Sequence, residues 1–340
     1  MITRMRAPMQ SDGWQAELRQ AVSSTEELLT MLDLSPQQLH LSEKGQQDFP
    51  LRVPRGYISR MRKGDPEDPL LRQVLPIVNE DDSVPGFGHD PVGDLSTQTV
   101  PGVLHKYHGR ALLVTTGACA VHCRYCFRRH FPYAASNAAT GHWQLALAYI
   151  QKDQSIKEVI LSGGDPLSLS DARLEYLAAK IAQIPHVIRM RIHTRLPIVV
   201  PERVDKTLLD WLCGTRLQPI VVLHANHANE IDESVSRATA RFRERGVTLL
   251  NQSVLLRGVN DSVQALVDLS ESLFSNGVLP YYLHLLDPVQ GAAHFDVDRQ
   301  RALYLVDGVR ARLPGYLVPR LVREQPGAPH KIPAELLAHD

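Results

Sequence analysis

Cys119, Cys123 and Cys126 fall within eight positions of the segment ACAVHCRYCFRRH (118–130), in a chain that holds four cysteines. Thiolates hold soft metals, zinc and iron–sulfur clusters. Three uses of such a cluster compete. The cysteines could share a buried helical face at i, i+4 and i+7, although Arg124, Arg128, Arg129 and His130 make the segment unusually charged for a core. With His122 or His130 as a fourth ligand they could bind zinc, although tetrahedral sites are usually built from two short pairs and no second pair is present. They could hold three irons of a 4Fe–4S cluster and leave the fourth iron open for another ligand. Nearby arginines favour thiolates and balance an anionic cluster. Cys213 lies about 90 residues further on, at the end of an expected helix, and reads as structural.

Two further segments could carry chemistry. In LSGGDPL (161–167), Gly163 and Gly164 permit close backbone approach and Asp165 can accept from a cation; a plain glycine turn into a helix capped by Ser170 or Asp171 gives the same letters. In LVREQPGAPHKIPAELL (321–337), Lys331 follows a Pro/Gly segment that could hold it on a shaped loop. A lysine so held can form a Schiff base with pyridoxal phosphate, though a lysine near a chain end is ordinarily a solvated charge. A phosphate needs cations, and HKYHGR (105–110) offers Lys106, Tyr107 and Arg110, which otherwise read as a basic surface patch.

The elements that must position these residues alternate. Apolar runs at 111–116, 158–162, 187–194, 218–225, 247–256 and 278–286 read as strands, and helical patterns at 142–153, 171–183, 201–213, 229–246 and 262–277 lie between them. A further helix (297–312) and strand (316–322) follow. Strand–helix alternation predicts a parallel α/β sheet, here a full or partial (β/α) barrel. Barrel chemistry sits at the carboxyl ends of strands, where the cysteines, SGGDP, HTR (193–195), HANHANE (224–230), Gln252 and Asp287 all fall. Residues 1–100 lack this rhythm and read as a mainly helical and loop extension: one or two helices over 14–34, proline-broken helices over 51–76, and a long loop over 81–94. Residues 101–340 form the barrel with a C-terminal lysine segment.

With 37 basic and 37 acidic side chains among 340 residues, no net field draws the chain to nucleic acid or a membrane. No apolar run reaches the ~18–20 residues that span a bilayer. The N-terminus has no apolar stretch behind its charges, so no secretory signal is expected. The clustered cysteines are no disulfide framework, and a reducing, cytoplasmic setting is expected.

CxxxCxxC after the first strand of a (β/α) run resembles the radical S-adenosylmethionine superfamily. The blocks CAVHCRYCFRRH, VILSGGDPL, HANHANE, NQSVLLRGVND (251–261) and LLDPVQGAAHF (285–295) narrow this, and residues 100–332 resemble the lysine 2,3-aminomutase family, in particular its short bacterial branch of elongation factor P β-lysylation proteins. The resemblance implies three cofactors: a 4Fe–4S cluster, S-adenosyl-L-methionine and pyridoxal 5′-phosphate. Cys119, Cys123 and Cys126 would hold the cluster. Asp165, Gly163, Gly164, His224, Gln252 and Arg195 would line the S-adenosylmethionine site. Lys106, Tyr107 and Arg110 would take the cofactor phosphate, and Lys331 the cofactor aldehyde. Arg128 would bind the carboxylate of free L-lysine, and Asp287 its distal ammonium. The family pairs Asp287 with a second aspartate where this chain has Glu324. The family's longer members carry a zinc-binding assembly segment beyond the cofactor lysine, which is expected to be absent here. The resemblance also implies an electron donor such as flavodoxin or ferredoxin, and a link to elongation factor P and its lysyl-transferring ligase. A radical enzyme of another reaction type, or a zinc-bound interaction module, are the alternative readings.

Overall fold

A computed structural model of the chain describes residues 13–136 and 143–337. The N-terminal stretch expected not to be a signal lies almost wholly outside them, and the helix expected from residue 142 is described from Trp143.

Ten strands form one sheet in sequence order. They are β1 (Gln98–Val100), β2 (Val103–Tyr107), β3 (Arg110–Thr116), β4 (Glu158–Gly163), β5 (Arg189–Thr194), β6 (Gln218–His224), β7 (Thr248–Val254), β8 (Leu279–His284), β9 (Arg320–Arg323) and β10 (Ile332–Pro333). From β3 to β9 each strand pairs parallel with the next, while β1, β2 and β10 are antiparallel additions at the two edges. No ladder joins β10 to β1 among the described residues, so the barrel is partial.

Each parallel crossover carries a helix, and local chemistry sets its ends. Asp205, Asp232, Ser262 and Asp298 accept from the third residue of the helices that follow them. Gly246 and Gly277 take positive φ just beyond two of the helix ends. The helix Asp171–Ala182 buries Leu174, Leu177, Ala178 and Ile181, the spacing of one helical face. Strand β4 is buried along its whole length, as a strand covered on both faces must be. In β5, Met190, Ile192 and Thr194 turn to one face and Arg189, Arg191 and His193 to the other. That second face brings Arg191 and His193 into the lumen.

The short helices before residue 98 pack into the same core: Leu28, Tyr57 and Leu70 belong to one buried cluster with Leu113, Leu161 and Ile192. Two expectations are corrected. The expected helix over 201–213 is a 3₁₀ turn at Pro201–Arg203 followed by a helix at Lys206–Cys213, because Asp205 caps a fresh start. The basic patch HKYHGR is not a surface lead-in to the first strand but the end of β2 and the turn into β3. Strands β1 and β2 escape sequence reading because each is short and they are separated by Pro101 and Gly102. No helix among the described residues is long and apolar enough to cross a membrane.

Candidate active site

The mouth and lumen of the partial barrel enclose a cavity of about 270 Å³. Cys119, Cys123 and Cys126 line it together with Asp165, His224, Gln252, Asp287, Glu324 and Lys331, so segments more than 200 residues apart in sequence converge on one space.

The cysteines sit on the loop after β3, which has no helical repeat, and this removes the shared buried helical face. All three are free and half-buried. Neither histidine completes a zinc site: His122 bonds the Pro50 carbonyl through Nδ1 at 2.7 Å and stacks on Phe49, and His130 stacks on His89. Among the described residues no three His, Cys, Asp or Glu side chains gather closely enough for a single metal ion. All three thiols line the one cavity, with no disulfide among them, as ligands of a 4Fe–4S cluster would. Burial pushes the Cys119 thiol well up, and burial with the neighbouring Cys123 pushes that of Cys126 up to about 11. Cluster loading therefore displaces protons.

The loop is fixed by the end of β4. Gly164 N donates to Thr116 O at 2.7 Å and Asp165 N to Ala118 O at 2.8 Å. A Cβ on Gly163 would meet Thr116 O at 2.5 Å, and one on Gly164 would meet Ala118 O at 2.4 Å. The glycines thus admit the cysteine loop itself, which the sequence did not indicate. The Asp165 carboxylate accepts from Thr194 Oγ1, Arg195 N, Leu196 N and Leu167 N at 2.7–3.1 Å. It ties β4 to the end of β5, and the expected role of receiving a cation is already taken by these donors. Burial raises its pKa against those four bonds.

His224 and Gln252 are register partners on β6 and β7 and face the cavity side by side. The His224 ring accepts or donates at 2.9 Å with Tyr125 Oη, and burial, then Arg195, pushes its pKa down to about 3, so it is neutral. Arg195 does not present its guanidinium to a ligand. Nη1 lies 2.7 Å from Cys123 Sγ and from Tyr125 Oη, and Nη2 donates to Tyr57 Oη, Gln73 Oε1 and Glu230 Oε2 at 2.8–2.9 Å.

Further along the lumen runs a chain of alternating charges. Arg128 donates to Asp94 Oδ2 at 2.7 Å and to Ser162 Oγ at 3.1 Å. Asp94 pairs with Lys106 Nζ at 2.6 Å. Lys106 also donates to Glu324 Oε1 at 2.9 Å and to the Val92 carbonyl at 2.8 Å, and Glu324 pairs with Lys331. The last pair follows from register: Ile332 faces Arg323 across the β9–β10 hairpin, so Lys331 falls opposite Glu324. Burial acts to raise the Glu324 carboxyl, but Lys331 and Lys106 hold it well below the usual range. Lys106 and Glu324 meet across the gap of the unclosed barrel.

Asp287 differs from these. The residue is half-buried, its Oδ1 is buried with no partner among the described residues, and desolvation, then the Glu324 charge, raises its pKa to about 7. At the opposite end Arg110 lies 4.7 Å over the Tyr107 ring, its guanidinium otherwise without a partner among the described residues. Lys106, by contrast, has acceptors for all three of its N–H groups. Arg191, paired with Glu158 but with a buried Nε left unpartnered, lines the cavity near Arg110.

Sequence reasoning missed Asp94, Arg191, Tyr57, Gln73 and Glu230. Asp94 closes what read as a featureless loop, and Tyr57 and Gln73 come from the N-terminal segment. Glu230 ends the block HANHANE, and that position was its one available signal.

The profile of the Radical SAM superfamily matches residues 113–209. The chain is 48% identical to the L-lysine 2,3-aminomutase of Escherichia coli K12 over 98% of each chain. It is 46% identical to that of Haemophilus influenzae over 95% of each. It is 34% identical to that of Clostridium subterminale over 94% of this chain and 77% of the relative.

Proposed function

As this chain belongs to the L-lysine 2,3-aminomutase family of the Radical SAM superfamily, we propose that it is the isomerase that converts free L-lysine to β-lysine using a 4Fe–4S cluster, S-adenosylmethionine and pyridoxal phosphate. The observation that carries this reading is the single cavity that joins three free cysteines, the Lys331 amine and the unpaired Asp287 carboxylate.

When bound, the cluster and S-adenosylmethionine supply a carbon radical that takes and returns hydrogen, and pyridoxal phosphate supplies a π-system through which an amino group passes between adjacent carbons. The residues divide the rest. Cys119, Cys123 and Cys126 hold the cluster. His224 and Gln252, with the backbone of Gly163–Asp165, line the S-adenosylmethionine side. Lys331 provides the amine for the cofactor aldehyde. Arg110, Tyr107 and Arg191 receive the phosphate, while Lys106 serves as the buried link between Asp94 and Glu324. Arg128, held in orientation by Asp94, presents its remaining N–H groups to the substrate carboxylate. Asp287 takes the distal ammonium, being the carboxylate lining this cavity whose buried Oδ1 has no partner among the described residues. Glu324 keeps the charge of the aspartate that the family resemblance led us to expect, and here it anchors Lys331 and Lys106. The walls exclude water from the reacting carbons. The link to elongation factor P and its ligase, and an electron donor of the flavodoxin or ferredoxin type, rest on the sequence resemblance.

The test is anaerobic incubation of the holoenzyme with L-lysine, S-adenosylmethionine and a strong reductant, followed by chromatographic analysis of the product. β-Lysine is expected; unchanged lysine in the presence of a fully assembled cluster would overturn the reading.

Asp287 makes this activity pH-dependent. A substrate ammonium binds the ionised carboxylate, whereas the empty site holds a group raised to about 7. Below that value the proton must leave before the ammonium enters, so kcat/KM rises with pH and levels off above it. A single group titrating there gives roughly a tenfold rise between pH 6 and 8. Asp287→Asn is expected to lose that rise along with most lysine turnover while retaining cofactor absorbance. A wild-type profile as flat as that of the variant would show that Asp287 does not meet the ammonium.

A further inference from the structure

The network around Arg195 shares no residue with the charge chain of Arg128, Asp94, Lys106, Glu324 and Lys331, and none of the roles above assigns Arg195 a part. Its guanidinium is buried, with a relative exposure of 7%, and its five contacts come from three separate parts of the chain. Tyr57 lies within a turn of helix at Arg55–Ile58, and Gln73 follows the helix Pro69–Arg72, so two of the groups that fix the guanidinium belong to the N-terminal segment. The balancing charge, Glu230, is fully buried and is itself held by Asn226 N at 2.8 Å, His227 N at 3.1 Å and Gln73 Nε2 at 3.2 Å. Both terminal nitrogens of the guanidinium are therefore engaged, Nε is buried without a partner among the described residues, and Nη1 reaches Cys123 Sγ at 2.7 Å.

We propose that Arg195 is a positioning residue that sets the reduction potential of the cluster, by directing a charge-assisted hydrogen bond at the Cys123 sulfur from a guanidinium locked by the N-terminal segment and Glu230. This rests on the cluster reading above. When a low-potential one-electron donor reduces the cluster, the added electron increases negative charge on the ligating sulfurs. A donor aimed at one of them stabilises the reduced form more than the oxidised form and raises the potential. Burial strengthens the effect, because little solvent responds in its place. Glu230 opposes it in part, since its negative charge lies just behind the guanidinium. The N-terminal segment, which contributes no cysteine, acts on the redox chemistry through Tyr57 and Gln73.

Two substitutions of opposite sign test this. The holoenzyme is reconstituted anaerobically, its iron and sulfide content is measured, and the cluster is titrated by mediated redox potentiometry with electron paramagnetic resonance detection. Arg195→Gln removes the donor charge and is expected to shift the reduction equilibrium about tenfold toward the oxidised form, about 59 mV lower for a one-electron couple. Glu230→Gln removes the opposing charge with little change of shape and is expected to shift the potential upward. A residue that merely supported the loop would lower cluster content in both variants and move neither potential in a charge-dependent direction. Equal potentials in wild type and both variants at full iron content, or shifts of the same sign, overturn the proposal. If Arg195→Gln cannot hold a cluster, Glu230→Gln decides alone: a potential at or below wild type overturns it. Failure of the cluster reading itself is distinct, and would appear as wild-type protein that takes up no iron and sulfide.

Discussion

Alanine at Cys119, Cys123 or Cys126 abolishes cluster assembly and with it all turnover, whereas alanine at Cys213 leaves both intact. The three thiols line the cavity and are free of disulfides, while Cys213 ends the helix Lys206–Cys213 and does not reach the cavity. A cluster that keeps one iron open already works with the fewest protein ligands the site offers, so loss of one leaves it with two. No neighbouring group stands ready to substitute, because His122 and His130 are engaged elsewhere and Asp165 accepts four hydrogen bonds. Iron and sulfide content after anaerobic reconstitution is the measurement. Full content in any of the three variants rejects the assignment. Wild-type protein that binds zinc and no iron would favour an interaction module instead.

The second large effect is at Lys331. Lys331→Ala is expected to remove the visible imine absorbance of the cofactor-loaded enzyme and to reduce lysine turnover below detection. Two lysines line the cavity, and their surroundings separate them. The Lys106 ammonium has three acceptors, Asp94, Glu324 and the Val92 carbonyl, whereas Lys331 has Glu324. Freeing Lys106 for covalent chemistry would strand Asp94 beside Arg128 and leave a buried charge pair incomplete, a cost of about 3–5 kcal/mol for such pairs. Lys106→Met is accordingly expected to keep the imine band, although it weakens the fold around the gap. If the band survives in Lys331→Ala and disappears in Lys106→Met, the two roles are exchanged. If it is present in neither wild type nor variants while the cluster is intact, the chain is a radical enzyme of another reaction type.

How much of this was legible beforehand differs residue by residue. The strand–helix rhythm from residue 110 placed the parallel strands within a few residues, because apolar runs near 30 residues apart leave few arrangements that bury both faces. It also placed Asp165, His224, Gln252 and Asp287 at strand ends. The pairing of Glu324 with Lys331 was not legible in the same way. A separation of seven reads most directly as two turns of one helical face, and the true pairing arises instead when Gly327 turns the chain and β10 returns along β9.

The sequence alone determined which chemistry was at hand: three clustered thiols, a lysine on a shaped tail, and a recurrent strand that brings their neighbours to one end. Covalent spacing and side-chain type are local properties, written directly in the order of residues. The tertiary structure decided which of those groups are free to act. It engaged Lys106, Asp165 and Arg195 with partners and left Asp287 with an unpartnered oxygen. It also brought in Asp94, Tyr57 and Gln73 from a segment with no motif of its own. Charge pairing and burial depend on distances through space, and those were set only when the N-terminal segment closed over the cysteine loop and the two edges of the open barrel met at Lys106 and Glu324.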